Sequence, residues 1–185
     1  MMTTTAPDAG TVFLTALTDV LAPAGWTRAD TTPYGQPVTT YTHPDSPAIL
    51  TVTGYQHGTL SAQLGTDDTA ADAWRVASDN PTVTTLAAAA NATVPEATAT
   101  AQPLTGQLAD AGWPVRLERE AGRLVEELWS SPEGTEVSFF PGDRFERPGW
   151  LIIRSRTSNG VMSRAQYCPS ADTPDAVLSA LVFDR

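Results

Sequence analysis

The sequence contains no lysine, and all eleven of its basic residues are arginines. It has 21 acidic residues, which gives a formal net charge of −10 at pH 7. Proteins that bind nucleic acids or anionic membranes concentrate positive charge on one surface, because they have to neutralise phosphates. The composition therefore argues against DNA, RNA and anionic membranes as general partners.

Long apolar runs are also missing. Nowhere do about 18 consecutive apolar residues occur, so the sequence predicts no membrane-spanning helix. The first residues, MMTTTAPDAG, lack the positive charge and the apolar stretch of a secretory signal. The single cysteine, Cys168, has no partner for an internal disulfide, which is typical of a reducing compartment. We therefore expect a cytoplasmic protein.

The sequence does contain a repeated phrase. Leu21 to Trp26 read LAPAGW, and Leu108 to Trp113 read LADAGW. Other landmarks follow each phrase in the same order: Tyr41 matches Trp129, Pro44 matches Pro132, Asp45 matches Glu133, Trp74 matches Tyr167, and Pro81 matches Pro174. This order predicts an internal duplication, with a first α+β copy over 9–90 and a second over 104–185. Residues 91–103, rich in Ala, Thr and Pro, are predicted to be a linker.

Each copy is predicted to contain a helix, about four antiparallel strands and a closing helix. Apolar residues at helical spacing predict the first helix, and Gly25 is expected to end it with Trp26 packed back on it. HPDSP and SPEGT predict hairpin turns, and Asn80-Pro81 and Thr173-Pro174 predict the starts of the closing helices. The expected strands are 38–42, 49–53, 59–64 and 74–77, then 124–129, 135–140, 150–156 and 162–167. The sequence thus predicts an α+β fold with two sheets packed as a pseudo-symmetric pair.

The order AGW, SSPEG, GWLIIRS and TPDAVLSAL resembles a domain family of unknown function that is common in actinomycetes and often occurs in tandem. Its members carry a similar Ser-Pro-Asp-Gly hairpin, a strand with a tryptophan and a closing helix that begins Thr-Pro. The second copy fits this pattern best, whereas the first has HPDSP at the turn and lacks the GW strand. The resemblance implies the fold and an actinomycete source, and it implies no reaction or ligand.

Only two histidines occur, His43 near the first hairpin turn and His57 about one strand later. A metal site would need them together with Asp45, Asp67 or Asp68. However, no HxH or HxxxH spacing is present, and each histidine lies where a turn residue is expected. We therefore predict no metal and no other cofactor.

Nucleophilic catalysis is not indicated either. Cys168 has no histidine near it in sequence to activate it, so a buried structural thiol is expected. Ser130 and Ser131 lie in a hairpin and not in a G-x-S-x-G elbow. Glu126 and Glu127 are neighbours on a strand and face opposite sides, so they cannot act as a carboxylate dyad. A glycine-rich phosphate loop is absent as well. Because none of these catalytic patterns occurs, the sequence predicts no enzyme.

The most distinctive region is 139–164, which is positively charged within an acidic protein. Strand alternation in WLIIRSR places Trp150, Ile152, Arg154 and Arg156 on one face. Tryptophan and arginine on one face are typical of a protein-interaction hot spot. The alternative is a solvated face whose arginines pair with acids on neighbouring strands. The predicted partner-binding residues are Trp150, Ile152, Arg154, Arg156, Arg144 and Arg147.

These features predict a non-enzymatic protein-binding or adaptor module whose partner is another protein, and a homodimer stays open. The competing hypothesis is an acidic inhibitor, such as an immunity protein or a nucleic-acid mimic, that blocks a basic site on its partner. Its binding residues would be carboxylates of the first copy, Asp67, Asp68, Asp72 and Asp79. Salt separates the two hypotheses, because binding by such an inhibitor weakens steeply as ionic strength rises.

Overall fold

The computed structural model describes residues 8–54, 60–67, 69, 73–95, 102–143, 147–158 and 161–183. Over these residues, four helices accompany one antiparallel sheet of ten strands. The helices are α1 (Ala9–Leu21), α2 (Val83–Asn91), α3 (Leu104–Asp110) and α4 (Asp175–Phe183). The strands are β1 (Thr27–Thr31), β2 (Val38–Thr42), β3 (Ile49–Gly54), β4 (Leu60–Gly65), β5 (Arg75–Asp79), β6 (Val115–Glu120), β7 (Arg123–Ser130), β8 (Thr135–Phe140), β9 (Gly149–Ser158) and β10 (Val161–Pro169). None of the described helices is long and apolar enough to cross a membrane.

The strands lie side by side in the order β1-β2-β3-β4-β5-β10-β9-β8-β7-β6. Each half of the chain contributes a helix, a meander of five antiparallel strands and a second helix. The α+β prediction is confirmed, but the expected number of about four strands is wrong. The expectation of two sheets packed as a pair is also wrong, because β5 pairs with β10 and joins both meanders edge to edge.

The strands that the sequence did not reveal are the edge strands β1 and β6. All of β1 is exposed, and so is nearly all of β6. Strands are recognised in a sequence by sustained apolar alternation, but β1 contains only Ala29 as an apolar residue, and β6 alternates only at Val115 and Leu117. On β1, a hydrogen bond from Arg28 lowers the pKa of the Asp30 carboxyl, and Thr39 also donates to that carboxylate. Charged side chains of this kind discourage pairing of an edge with another chain.

Both Ala-Gly-Trp phrases end a helix in the same way, as predicted for the first. Gly25 and Gly112 are left-handed, with φ of 92° and 72°. The next residue donates its backbone N–H to the leucine carbonyl five positions earlier, at 3.2 Å for Trp26 and 3.0 Å for Trp113. This hydrogen bond belongs to the Schellman motif, which satisfies carbonyls that a helix end leaves unpaired.

The same two tryptophans connect the helices within each half. Trp26 is buried, and its Nε1 donates to Asn91 Oδ1 at the end of α2, at 2.9 Å. The Trp113 ring packs edge-on against Phe183 at the end of α4, with 5.7 Å between ring centroids. The tryptophan after each glycine therefore fixes the end of one helix to the end of the next.

The start of α2 differs from the prediction. Its N-cap is Thr82, whose hydroxyl accepts from the backbone N–H of Thr85 at 3.2 Å. Asn80, the predicted start, follows β5 in the left-handed conformation with φ of 51°, which asparagine adopts more readily than most residues. The start of α4 also differs, by one residue: the Leu178 N–H donates to the Pro174 carbonyl at 3.0 Å, so Pro174 occupies the cap position predicted for Thr173, and the helix begins at Asp175.

The core lies between the helices and one face of the sheet. On that face, α1 packs against α2, α2 against α4, and α4 against α3. Strand alternation points a series of buried side chains toward the helices: Tyr41, Leu50, Val52, Ala62, Leu64, Val76, Val137, Ile152 and Tyr167. We call the opposite side the open face, because no helix of the described residues packs on it.

We call the β5–β10 pair, with α2 and α4 above it, the junction. Contacts across it come from both halves of the chain. The Tyr167 hydroxyl accepts from the backbone N–H of Thr82 at 3.3 Å. The Ser170 N–H donates to the Arg75 carbonyl at 2.8 Å, and the Arg75 N–H donates to Ser170 Oγ at 3.1 Å. The two halves therefore share hydrogen bonds as well as one core.

Replacing Gly25 by alanine should destabilise the protein more than replacing Gly112. Both substitutions force a Cβ into the left-handed conformation, at a cost of about 1 kcal/mol. At Gly25 the new Cβ would also lie 2.8 Å from His43 Nε2, in a ring that packs on Trp26. At Gly112 nothing lies within 4 Å of the new Cβ. Chemical denaturation should show the larger loss of unfolding free energy for Gly25→Ala. Adding His43→Ala should remove the part of this loss that comes from the steric clash. Equal losses for the two glycine substitutions would contradict the close approach at Gly25.

Replacing Ala121 by asparagine should stabilise the protein. Ala121 and Gly122 form the two-residue loop between β6 and β7, and both are left-handed, with φ of 49° and 83°. Loops of this type favour Asn-Gly, because asparagine tolerates the left-handed conformation better than alanine. We expect a gain in unfolding free energy of about 1 kcal/mol by thermal or chemical denaturation. Ala111→Asn, at an exposed right-handed position, is the control and should give no gain. A loss at residue 121 would contradict the turn assignment.

Candidate functional site

A cleft of about 730 Å³ lies at one end of the junction. It opens where β5 begins, where β10 ends, and where β8 meets β9. The side chains that determine its chemistry are Trp74, Arg75, Phe140, Arg147, Trp150 and Asp172. This volume is within the range of small-molecule and peptide pockets, about 300–1,000 Å³. The cleft is therefore the strongest candidate site among the described residues.

The start of β9 shapes one wall of the cleft. Gly149 forms an isolated bridge with Ser170, and a Cβ added at Gly149 would lie 3.3 Å from the Pro169 carbonyl oxygen. The small residue thus lets β9 begin close to the end of β10. Next to it, the Trp150 ring is half-buried and tilts against the Phe139 ring, with 4.7 Å between centroids. Phe139 therefore holds the Trp150 ring in place at the wall.

The polar groups of the cleft are two guanidinium groups and one carboxylate. Arg75, Arg147 and Asp172 are all exposed. A guanidinium presents a planar fork of donors that matches a carboxylate, and it also stacks on aromatic rings. Beside them lie the aromatic surfaces of Trp74, Trp150 and Phe140. The described lining can thus bind a group that combines an apolar side chain with a nearby carboxylate.

The structure divides the six predicted partner-binding residues among several places. Trp150 and Arg147 line the cleft. Ile152 lies in the core with 0% of its surface exposed, so it offers no contact to a partner. Arg154 and Arg156 line a second pocket, of about 330 Å³, beside the end of α4. Arg144 lies outside the described residues.

Arg154 contacts the helices that cover the predicted interaction face. Its Nη1 donates to Thr85 Oγ1 at 2.9 Å and to the Leu181 carbonyl at 3.4 Å. These acceptors belong to α2 and α4, so Arg154 connects a strand of the second half to a helix of each half. The cation also lies near the carboxyl end of α4, where the helix dipole favours positive charge. A continuous exposed face from Trp150 to Arg156 is therefore absent from the described strand.

The cleft also contains residues that the sequence did not mark as functional. Trp74 and Arg75 come from the first half, whereas Phe140 and Asp172 come from the second. Trp74 was recognisable only as a landmark of the duplication. What assembles the site is the pairing of β5 with β10, and pairing between distant strands leaves no local pattern in a sequence.

The prediction that Cys168 is a buried thiol is wrong. Cys168 is exposed on the open face, and Gln166 Nε2 donates to its Sγ at 3.5 Å. Its neighbour Tyr167 points into the core, and alternation along the strand turns the next side chain outward. Cys168 also lines the cleft.

The described residues contain no group of three or more histidine, cysteine, aspartate or glutamate side chains that could hold a metal ion. His43 packs against Trp26, and its Nδ1 accepts from the backbone N–H of Asp45 at 3.1 Å. This contact makes His43 part of the hairpin turn. His57 and Asp68 lie outside the described residues.

Comparison of the chain with protein-family models, with curated proteins and with solved structures finds no match. The resemblance to a tandem actinomycete family therefore stays a prediction. The function has to be argued from the geometry of the cleft and the sheet.

Removing the donors of Arg154 should destabilise the fold. Arg154→Met keeps most of the apolar stem but removes the hydrogen bonds to Thr85 and Leu181. Hydrogen bonds to charged groups contribute about 1.5–3 kcal/mol, so a loss of that size is expected in chemical denaturation. Arg164→Met, at an exposed position on the neighbouring strand β10, should change stability by no more than about 0.5 kcal/mol. Equal effects of the two substitutions would contradict a structural role for Arg154.

Proposed function

We propose that this protein is a non-enzymatic binding module, an adaptor, that holds a segment of a partner protein in the cleft at the junction. The observation that carries the proposal is the composition of the cleft. Tryptophan and arginine are the residues most enriched among the side chains that dominate binding energy in protein interfaces. Here Trp150, Arg75 and Arg147 lie around one concave site, and the mostly buried Trp74 forms part of its floor.

The cleft favours a segment with an apolar anchor followed by an acidic group. An aromatic or aliphatic side chain of the partner would pack against the half-buried Trp150 ring. A carboxylate of the same segment would then reach the Arg147 guanidinium, and Asp172, which also lines the cleft, would repel a second acid. Most of this acidic chain would repel an acidic segment. The arginines of the cleft would attract it, so the charge of the segment would direct it to this site.

The described walls of the cleft support binding more than covalent catalysis. Their hydroxyl and thiol groups are those of Ser170 and Cys168, and no described histidine lines the cleft to activate either one. Ser170 Oγ already accepts from the Arg75 N–H. Its hydroxyl thus contributes to the junction.

We also infer that the chain arose by duplication of one α+β unit, which later diverged. The order of helix, five strands and helix in each half supports this inference, and so do the two Schellman ends. The two halves differ at the site where the function is proposed. The arginine-rich β9 and the loop before it belong to the second half only, whereas the first half supplies Trp74 and Arg75.

The alternative function, an acidic inhibitor, has a more limited basis. Asp67 and Asp79 are exposed, as that hypothesis requires. However, Asp67 accepts from the Thr69 N–H and Asp79 accepts from Ser61 Oγ, so each has a local role. Asp68 and Asp72 lie outside the described residues.

Charge reversal in the cleft tests the adaptor proposal. The tagged protein would be used to isolate partners from a lysate of the source organism at low and at moderate salt, and affinity for an identified partner would then be measured. We expect Arg147→Glu to weaken that affinity by at least about tenfold. Phe140→Ala should weaken it as well, because it removes apolar surface from the same site.

The matched control is Arg119→Glu, which makes the same change in charge on the exposed edge strand β6. It should leave the affinity within about twofold of the original, because screening limits the effect of distant exposed charges. Equal weakening by Arg147→Glu and Arg119→Glu would refute the cleft as the site. A partner that is released by moderate salt and by Asp79→Asn would instead favour the acidic inhibitor.

A further inference from the structure

The open face of the sheet carries very little charge for a protein of this composition. Strand alternation and pairing register identify the side chains that point away from the helices. Along one line across the sheet, from β1 to β7, they are Ala29, Thr40, Thr51, Gln63, Ala77, Cys168, Leu151, Ser138 and Leu128. None of these nine side chains is charged, and only at β6 does the line end on Arg116.

The rows on either side of this line are nearly neutral as well. On β2–β5 and β8–β10 the described outward charged residues are Arg75, Arg164, Asp79 and Glu136, whose charges sum to zero. The whole chain, by contrast, carries a net charge of −10. Two copies of such a chain repel each other over most of their surface, and this repulsion is weakest where the open faces meet.

Exposed apolar side chains accompany the neutral line. Ile49 is 43% exposed, Phe140 37% and Met162 72%, and all three point to the open face. Depletion of charge together with exposed apolar residues is typical of the centre of a protein interface.

The size of this face fits a weak, reversible dimer. Ser138 on β8 and Ile153 on β9 point to this face but are already buried within the single chain. The remaining six strands, β1 to β5 and β10, are spaced by about 4.8 Å with three outward residues each, and they cover roughly 24 Å by 20 Å. The resulting area of roughly 500 Å² is smaller than the ~800 Å² that each partner buries in a standard protein interface. Two twisted sheets of the same hand pack face to face at about −30°, with their inner side chains interdigitated.

We propose that two copies of this chain associate through their open faces into a homodimer, with Gln63, Ala77 and Cys168 near the centre of the contact. The arrangement is isologous, because each copy contributes the same surface. The cleft of each copy then opens at the border of the contact, because Cys168 and Phe140 belong to both surfaces. The inference does not depend on what the cleft binds.

A charge placed in the centre of the open face tests the proposal. Sedimentation velocity over a dilution series, up to about 100 μM, should show a monomer–dimer equilibrium for the natural sequence. Gln63→Glu should weaken the dimer by at least about tenfold, because it buries an unpaired charge from each copy in the interface. The matched control is Gln36→Glu, at an exposed residue of the β1–β2 connection, and it should leave the equilibrium unchanged.

The thiol of Cys168 locates the contact independently. Its rate of reaction with N-ethylmaleimide should fall several-fold as the protein concentration rises through the dimer range, and Gln63→Glu should restore the fast rate. A monomer at all concentrations would overturn the proposal. So would a dimer that is insensitive to Gln63→Glu and in which Cys168 reacts as fast as in the monomer. A slow thiol in a monomer would show that a segment of the same chain covers the face.

Discussion

The pairing of β5 with β10 is the interaction on which the rest of this structure depends. These strands are the last of their respective meanders, and their backbone hydrogen bonds make one sheet out of two. Because they pair, α2 and α4 meet above them and a common core forms. Arg154, on the strand layer below, donates hydrogen bonds to both helices. Tyr167 accepts a hydrogen bond from the start of α2. Each half would otherwise expose one more edge strand and the side of one helix.

Both candidate surfaces are consequences of this junction. The cleft lies where the chain enters β5 and leaves β10, so its aromatic and arginine side chains converge only when the halves are joined. The open face has its centre at the same pair of strands, at Ala77 and Cys168. A binding module built in this way places one site at the strand ends and a second surface across the strands. The first suits a short segment of a partner, and the second suits a broad, flat contact.

The sequence predicted those features that a few neighbouring residues determine, such as helix ends and turns. A left-handed glycine followed by a tryptophan predicted the first helix end at Gly25, and proline-rich turns predicted the hairpins. The edge strands β1 and β6 escaped recognition because they bury almost nothing: β1 offers only Ala29 as an apolar residue, and the alternation of β6 stops after Val115 and Leu117. Alternation also placed Trp150, Ile152 and Arg154 on one face, but it could not tell which face the helices cover. Arg154 consequently resembled an interface residue, although it stabilises the packing of two helices.

The central claim is that the last strands of the two halves pair, and the most direct test is a disulfide across them. Ala77 and Cys168 are directly opposite on the antiparallel strands, and both point to the open face. Opposite Cα atoms in such a pair lie about 4.5–5.5 Å apart, which is within the range that a disulfide spans. Mild oxidation of Ala77→Cys should therefore give an intramolecular disulfide, detected by mass spectrometry after alkylation and proteolysis. Ala29→Cys, at the far edge of the sheet, should not form one. If residues 77 and 168 both remained free thiols under these conditions, the junction would be wrong, and the single sheet with it.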